Sequence, residues 1–598
     1  MRSRRLFLAP LALGVALLLT ACNGLVGQHA VYTRQGTQTI TGTAPARSND
    51  PLVGVTVNGT PAVLGTSHDY SLTIPLDGAA VFNQVLVVAT YKSGHTETDR
   101  ATIAYGDGTH ATVVDRGATV GSGVALRMNQ QAFTKLGPVV KSLTTIDTAS
   151  ITPPGTVVLD QCVVKLIFCQ TQAKATIAAA PTLSGFDVAL TSHAGSTEAN
   201  VTLHSLKILT QVNTTTLGII SIPCQLEITA TTVGADGNYL LKPNPADPSQ
   251  LRVDLQGATN VTLSGVGHQW TGGVCSLPVV SSIVDLLLPN VQTLLQTNLT
   301  QALADPDGSG PAQSPIAAAI QQSLAKVNIA GPIGDSLGVA LTAPIHGVVQ
   351  DANGVGLTAD ATFAASAVAT GAPQQNGSLG FGNPVVADPG ATTPGGQAYD
   401  VAVGASITSF DQLLAGETER GLLNLNIDTL NGQPLTYKGL LDLIGLGSIV
   451  TTDRPVKIVL TPELAPAITG AAAPAGALGL MHIGGYRSDV VFADTGEKLL
   501  SLVLDFDAPV NLSIAGGQLG FALTAPPADQ VHLDVVTNPL GLPTSLVSQV
   551  FAALEPGLFT QLGSLLPAFP LPQLVGLSLS PLTTARVGDS LFLYANLV

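Results

Sequence analysis

Val280-Ser281-Ser282-Ile283-Val284-Asp285-Leu286-Leu287-Leu288-Pro289-Asn290-Val291 and Val547-Ser548-Gln549-Val550-Phe551-Ala552-Ala553-Leu554-Glu555-Pro556-Gly557-Leu558 are two versions of one segment. Val280-Ser281, Ile283, Leu287, Pro289 and Val291 fall at the same offsets as Val547-Ser548, Val550, Leu554, Pro556 and Leu558. The apolar series continues through Leu294 and Leu295 in the first copy; in the second it begins at Leu546 and runs on to Leu562 and Leu565. Such spacing follows the period of an amphipathic helix. The proline inside each pattern lacks a backbone donor, so both helices are expected to kink at the equivalent point.

Two further matches frame these helices. Val124-Ala125-Leu126, Phe133 and Leu136 match Val401-Ala402-Val403, Phe410 and Leu413, and Ile333-Gly334-Asp335-Ser336-Leu337 matches Val587-Gly588-Asp589-Ser590-Leu591. The separations are 401 − 124 = 277, 547 − 280 = 267 and 588 − 334 = 254 residues, in one order and drifting slowly. They define a duplicated unit of long period. Residues 116–367 form the first half and 398–598 the second, with 368–397, rich in Gly, Pro, Ala and Gln, as linker. Alternating stretches such as 199–206 and 518–523 read as antiparallel strands. The expected class is therefore α+β: two tandem curved antiparallel sheets, each wrapping a long kinked helix.

Upstream, residues 30–115 carry short strand-like runs around Val55-Thr56-Val57, Tyr70-Ser71-Leu72-Thr73-Ile74, Val85-Leu86-Val87-Val88-Ala89 and Ala101-Thr102-Ile103-Ala104-Tyr105. Asn58-Gly59, Asp77-Gly78 and Ser93-Gly94 supply turns, and the pattern reads as an all-β sandwich. Its V-x-V-N-G start and V-V-A-T-Y-K-S-G turn resemble bacterial immunoglobulin-like domains of surface proteins, which implies a spacer or a ligand-binding module.

The composition limits what such a chain does. Of 598 residues, 45% are apolar, 4% aromatic and only 11% charged, against about 25% charged in an ordinary soluble domain. A mean hydropathy of +0.39 excludes a disordered chain. With 39 acidic against 24 basic residues, a nucleic-acid groove, which needs clustered Lys and Arg, is excluded as well. A pocket in so aromatic-poor a chain is lined by Leu, Val, Ile and Ala, which suits acyl chains better than stacking ligands.

Arg2, Arg4 and Arg5 precede an uncharged run over 6–19 that is too short to span a bilayer, so residues 1–21 read as a signal peptide. Leu19-Thr20-Ala21-Cys22 resembles the lipobox of bacterial lipoproteins. That resemblance implies a diacylglycerol thioether on Cys22, with two or three acyl chains giving a stable anchor, and a tether over 22–29. Asn23, where the family's retained members have Asp, implies the outer membrane, on either its periplasmic or its cell-surface face. Loss of three Arg with the signal takes the net charge from −15 to −15 − 3 = −18. Four cysteines remain, Cys162, Cys169, Cys224 and Cys275, an even number that reads as disulfides with three possible connectivities. Cys162 with Cys169 and Cys224 with Cys275 is the expected pairing, because 162–169 can fold as a hairpin with its two cysteines opposite. No C-x-x-C or close His accompanies them, so no metal is expected.

A buried helix wrapped by a sheet, in two copies joined by a linker, resembles the tubular lipid-binding superfamily, and within it the family of bactericidal/permeability-increasing protein and the lipid-transfer proteins. The residues carrying the likeness are Ala568-Phe569-Pro570-Leu571-Pro572 after the second helix, Val575-Gly576-Leu577-Ser578-Leu579, and Ser590-Leu591-Phe592-Leu593-Tyr594-Ala595-Asn596-Leu597-Val598. Gly338-Val339-Ala340-Leu341-Thr342-Ala343-Pro344 and Gly356-Leu357-Thr358-Ala359-Asp360-Ala361-Thr362-Phe363 resemble the family's stretch before its linker. The resemblance implies a lipid or other apolar small molecule as partner, no cofactor and no covalent chemistry. The chain departs from the endotoxin-binding members in being acidic, which argues against tight electrostatic capture of lipopolysaccharide. The expected lipid-binding residues are Phe133, Leu136, Ile283, Leu287 and Val291, with Phe410, Leu413, Val550, Leu554 and Leu558 in the second half. The alternative is a surface adhesion or scaffold lipoprotein whose sandwich is the binder.

Three motifs invite other chemistry. Gly334-Asp335-Ser336-Leu337-Gly338 satisfies G-x-S-x-G, and Asp529-Gln530-Val531-His532 supplies a D-x-x-H. A nucleophile elbow must enter a helix, whereas Ser336 enters an apolar run that reads as strand, so no enzyme is expected and His532 reads as a strand residue. Asp305-Pro306-Asp307-Gly308-Ser309-Gly310 lacks the distal Glu of a calcium loop. Trp270 reads as a loop residue between strand and helix.

Overall fold

The computed structural model describes residues 25–165, 167–271, 278–303, 315–325, 339–421, 423–430, 432–515, 518–565, 569–570 and 577–598. Cys22 with its signal segment, Cys275, the motifs at 305–310 and 334–338, and Leu571-Pro572 lie outside the described residues.

The chain opens as a two-sheet sandwich. One sheet has the order Ala30–Thr33, Thr96–Tyr105, Phe82–Tyr91, Leu52–Val57, Thr60–Pro61; the other runs Thr37–Thr43, Asp69–Pro75, Val63–Leu64. Alternation along the strands sends Val55, Val57, Val85, Val87, Ala101 and Ile103 inward from the first to meet Ile40, Tyr70 and Ile74 of the second. Leu25 and Val26, expected in a tether, are buried in this core, and Val26 bridges to Gly42.

Buried charges fasten the sandwich to the distant second half. Arg487 pairs with Asp99 at 3.4 Å and Glu463 at 2.7 Å, and His29 Nε2 lies 3.0 Å from Asp99 Oδ2. Arg100 pairs with Asp505 at 3.3 Å and with Asp534, and Gln84 donates to Asp505 at 2.6 Å. Burial opposes ionisation of Asp99, yet the hydrogen bond and charge of His29, the Val26 amide and Arg487 hold it at about 2. Glu463 is less compensated: burial pushes it up to about 7 against the pull of Arg487 and His29.

The first half begins with β1 (Val120–Asn129), which runs straight into α1 (Gln130–Leu143). There follow β2 (Val157–Lys165), β3 (Cys169–Ile177), β4 (Gly185–His193) and three long strands, β5 (Ser196–Thr216), β6 (Ile220–Asn244) and β7 (Asp247–Ser264). After β8 (Gly267–Thr271) come α2 (Pro278–Leu303) and α3 (Pro315–Ala325), then β9 (Val339–Thr342), β10 (Ile345–Asp351) and β11 (Gly354–Ala365). The sheet has the order β2-β3-β5-β6-β7, with β4 beside β5 and β8 beside β6. Helix α2 packs on both β2 and β7, the two ends of that order. The sheet is curled, and the helix touches strands at both ends of its order. The helix continues through Pro289, which is exposed, while Ile283, Leu287, Val291, Leu295 and Leu299 are buried at every fourth position.

The second half repeats the entry: β12 (Val401–Ser406) runs straight into α4 (Ile407–Glu419). Its sheet centres on β13 (Val456–Pro462), β14 (Gly479–Phe492), β15 (Lys498–Ala515) and β16 (Gln518–Leu523), and α5 (Thr544–Leu565) packs against β16 and shares a core with this sheet. The chain closes through β17 (Leu579–Val587) and β18 (Ser590–Leu597).

A third sheet, β9-β11-β1-β12-β18-β17 with β10 beside β11, joins the halves. The duplicated triplets lie side by side at its centre, β1 antiparallel to β12. The hairpin that flanks β12 is β17–β18, turning through Gly588, and the hairpin that flanks β1 is β10–β11, turning at 351–354. The turn at 351–354 thus stands beside β1 as the turn at 587–590 stands beside β12, and Leu357-Thr358-Ala359-Asp360 and Leu593-Tyr594-Ala595-Asn596 follow at one offset; the expected match at 333–337 lies outside the described residues.

The residues read as a linker, 368–397, pack against the folded body. Within it Gly377–Gly380 pairs with Thr112–Asp115, and Leu379 and Phe381 enter the second core. Val386 joins Tyr399, Phe592 and Tyr594 over the outer face of the central sheet. Gly404 sits opposite Phe592, and a Cβ there would strike the ring, so glycine is required by a close approach.

Candidate functional site: an apolar cleft beside the first long helix

The long strands of the first half change parity at one level. Along β5 the buried residues are Ala199, Val201 and Leu203, then Leu206 and Ile208; along β6 they are Ile228 and Ala230, then Val233 and Ala235. The switch falls at Ser205, whose φ is +54°, and at Thr231, the residues between the His204–Thr232 and Leu206–Ala230 pairs. A positive φ on a serine bends the strand as a bulge does. Immediately beyond the bend the sheet stands off α2 and leaves a cleft of about 190 Å³.

Leu206, Ile208, Ile228 and Leu263 form the sheet wall, and Val291 and Leu295 the helix wall. Ile208 lies opposite Ile228 and Leu206 opposite Ala230, so two cross-strand pairs make the floor. The lining holds no charged side chain; Thr229 and Gln292 are its polar members, and Val266, 45% exposed, marks the mouth. On the other flank of α2 a more polar opening of about 400 Å³ lies between Val157–Gln161 of β2 and Asn290, Thr293 and Thr297. Among the described residues of the second half, a cavity of about 40 Å³ lies beside α5, with Val550, Leu554 and Tyr437 in its wall. Phe551 and Phe559 of α5, with Phe559 edge-on to Phe506 at 4.9 Å, fill that interior. Helix α2 carries no aromatic residue.

The expected lipid-binding residues therefore divide. Val291 lines the larger cleft, and Val550 and Leu554 line the small cavity. Phe133, Leu136, Ile283 and Leu287 are buried in the first core, and Phe410, Leu413 and Leu558 in the second. Sequence reasoning missed Leu206, Ile208, Ile228, Ala230 and Leu263. The signal was present in Leu203-His204-Ser205-Leu206, where apolar alternation skips a residue.

Cys162 and Cys169 are disulfide-bonded, with Cα atoms 5.7 Å apart. They are not opposite, as expected of them: Cys162 faces Gln172 and Cys169 faces Lys165, because the hairpin shifts register between Cys162 and Lys165. Cys224 is disulfide-bonded as well. Trp270 lies on β8 opposite Leu226, half-buried against the core, and is not a loop residue. His532 begins the strand His532–Thr537, 3.1 Å from Asp534.

No family model matches the chain, and no curated protein matches it. Among solved structures it is similar to a lipopolysaccharide binding protein at 12% identity and a TM-score of 0.42, over 80% of this chain and 98% of that one. It is also similar to P47 of Clostridium botulinum E1 at 8% identity and a TM-score of 0.22, over 80% of this chain and 100% of that one. P47 from Clostridium botulinum A2 gives 9% identity and 0.22, over 80% and 98%. Likeness at this level carries no ligand from one protein to another.

Proposed function

We propose that the protein is a lipid-binding or lipid-transfer lipoprotein, anchored through Cys22 in the outer membrane, that holds an acyl chain in the cleft beside α2 and performs no covalent chemistry. In this reading each curled sheet wraps its helix as in the tubular lipid-binding proteins, and the leading sandwich is immunoglobulin-like. The observation that carries it is the cleft itself: aliphatic walls from three strands and a helix, no charge, and a mouth at Val266. At about 190 Å³ it is smaller than the roughly 300–1,000 Å³ of a small-molecule pocket, which suits part of one chain, not a whole lipid. Each methylene drawn in from water contributes about 0.8 kcal/mol. The larger space beside α2, about 190 Å³ against about 40 Å³ beside α5, favours the first half as the binding half.

Native mass spectrometry of the full chain tests the reading, together with uptake of labelled phospholipid from vesicles. A bound mass that organic extraction removes, and saturable uptake, are the expected results. Absence of both would overturn it.

A further inference from the structure

The far end of the first half carries a second apolar feature, separate from the cleft. The β2–β3 hairpin ends in Ile167 and Phe168, and the β5–β6 hairpin in Leu217, Ile219 and Ile220. β3 pairs with β5 through Thr171 and Thr216, and the Leu217 amide donates to the Gln170 carbonyl at 2.8 Å, so the two tips lie side by side. All five apolar side chains are exposed, Ile167 at 94% and Ile219 at 86%. Large apolar residues gathered at two turn tips are a marked departure from a soluble surface.

Three properties decide what covers them. Leu217 holds φ +53° beside Gly218 at +71°; such a turn favours Asn, Asp or Gly, so an apolar side chain is kept there against the backbone's preference. Two tip amides are satisfied internally, Leu217 to Gln170 at 2.8 Å and Ile219 to Thr216 at 3.2 Å, which lowers the cost of placing them in an apolar phase. In a chain of net charge −15, residues 161–186 and 199–226 contain no Asp or Glu, and Lys165 is exposed at the tip itself. Thr215, Thr216, Gln170 and Ser221 form a polar collar behind the apolar residues.

We propose that the paired tips are a prong that docks on phospholipid membranes, placing Ile167, Phe168, Leu217, Ile219 and Ile220 among the acyl chains and Lys165 and the collar at the headgroups. A convex, acid-free prominence with a hydroxyl and amide collar fits a bilayer surface; the Cys162–Cys169 disulfide ties one hairpin just behind its tip. The inference stands whether or not the cleft holds lipid.

The test uses the full chain with Cys22→Ser, so that no acyl anchor contributes, and vesicles of phosphatidylcholine with phosphatidylglycerol. Flotation of the parent chain and at least about a tenfold loss in Ile167→Ser/Phe168→Ser/Ile219→Ser are expected, with an unchanged melting temperature because the three side chains are exposed. Should the triple variant melt early, Phe168→Trp in a Trp270→Phe background decides: its emission shifts to the blue on adding vesicles. Equal flotation of parent and triple variant, no flotation of the parent, or no blue shift would overturn the proposal. A parent dimer that the triple variant abolishes would overturn it too, by showing a second copy as the occupant. Ligand mass measured on the same samples reports on the cleft separately.

Discussion

Leu126 and Val403, separated by 403 − 126 = 277 residues, lie directly opposite each other where β1 pairs with β12. That separation equals the repeat, so each faces its own counterpart and a local two-fold passes between them. Ala125 accordingly faces Gly404 while Arg127 faces Ala402. The flanking strands then trade sizes: Arg127 is opposed by Gly356, and Gly404 by Phe592.

This exchange predicts the cost of a single methyl group. Gly404→Ala drives a Cβ into the fully buried Phe592 ring, and a loss of about 1–3 kcal/mol is expected. Chemical denaturation should register it, and Phe592→Leu in the same chain should restore part of it. A neutral Gly404→Ala would show that the ring moves freely.

Ala230→Phe should fill the cleft. Ala230 lies in its wall opposite Leu206, and the ring enters existing space with little strain. Co-purifying lipid and phospholipid uptake should fall to background while the melting temperature holds or rises. Lipid retained at the parent level would place the ligand elsewhere.

The buried acids predict stability that falls as pH rises. Glu463 titrates near 7 in the folded chain and near 4.3 when unfolded. Below the lower value both states are protonated and nothing is lost; through the interval the unfolded chain gives up its proton first, so stability declines by about 4 kcal/mol. Asp411, driven well up by burial, and Glu417, pushed by burial up to about 8, act in the same direction. Melting temperature should drop between about pH 5 and pH 8, and Glu463→Gln should flatten that drop.

Arg100→Ala should loosen the sandwich from the second half. It leaves Asp505 buried without its cation, a change that costs about 3–5 kcal/mol. Because the sandwich has a core of its own, two unfolding transitions are expected in place of one, with faster proteolysis near Gly106 to Gly108.

The periodic parts were legible in sequence. The apolar series over 280–295 and 546–565, which lie in the helices 278–303 and 544–565, were legible from spacing; the matched triplets were legible as a repeat, and their side-by-side pairing was not. The asymmetry between halves was legible too, in Phe551 and Phe559 against an aromatic-free α2, but a repeat invites the assumption of two equal grooves. The cleft was hidden because one skipped residue at Ser205 moves a wall. The linker's polar composition concealed Leu379, Phe381 and Val386, three apolar residues that settle it against the folded body.

The central sheet has a consequence for how the chain reaches this state. Leu126 on β1 bonds across 231 residues to Leu357 and across 277 to Val403, and Val403 across a further 190 to Leu593. During synthesis β1 emerges long before either neighbour, with both edges open and a sticky apolar pattern between them. Asp99 and Arg100 wait longer still for Arg487 and Asp505. The slow step of folding should therefore be assembly of this seam, and a holding chaperone that shields β1 should raise yield more than any agent acting on the outer sheets.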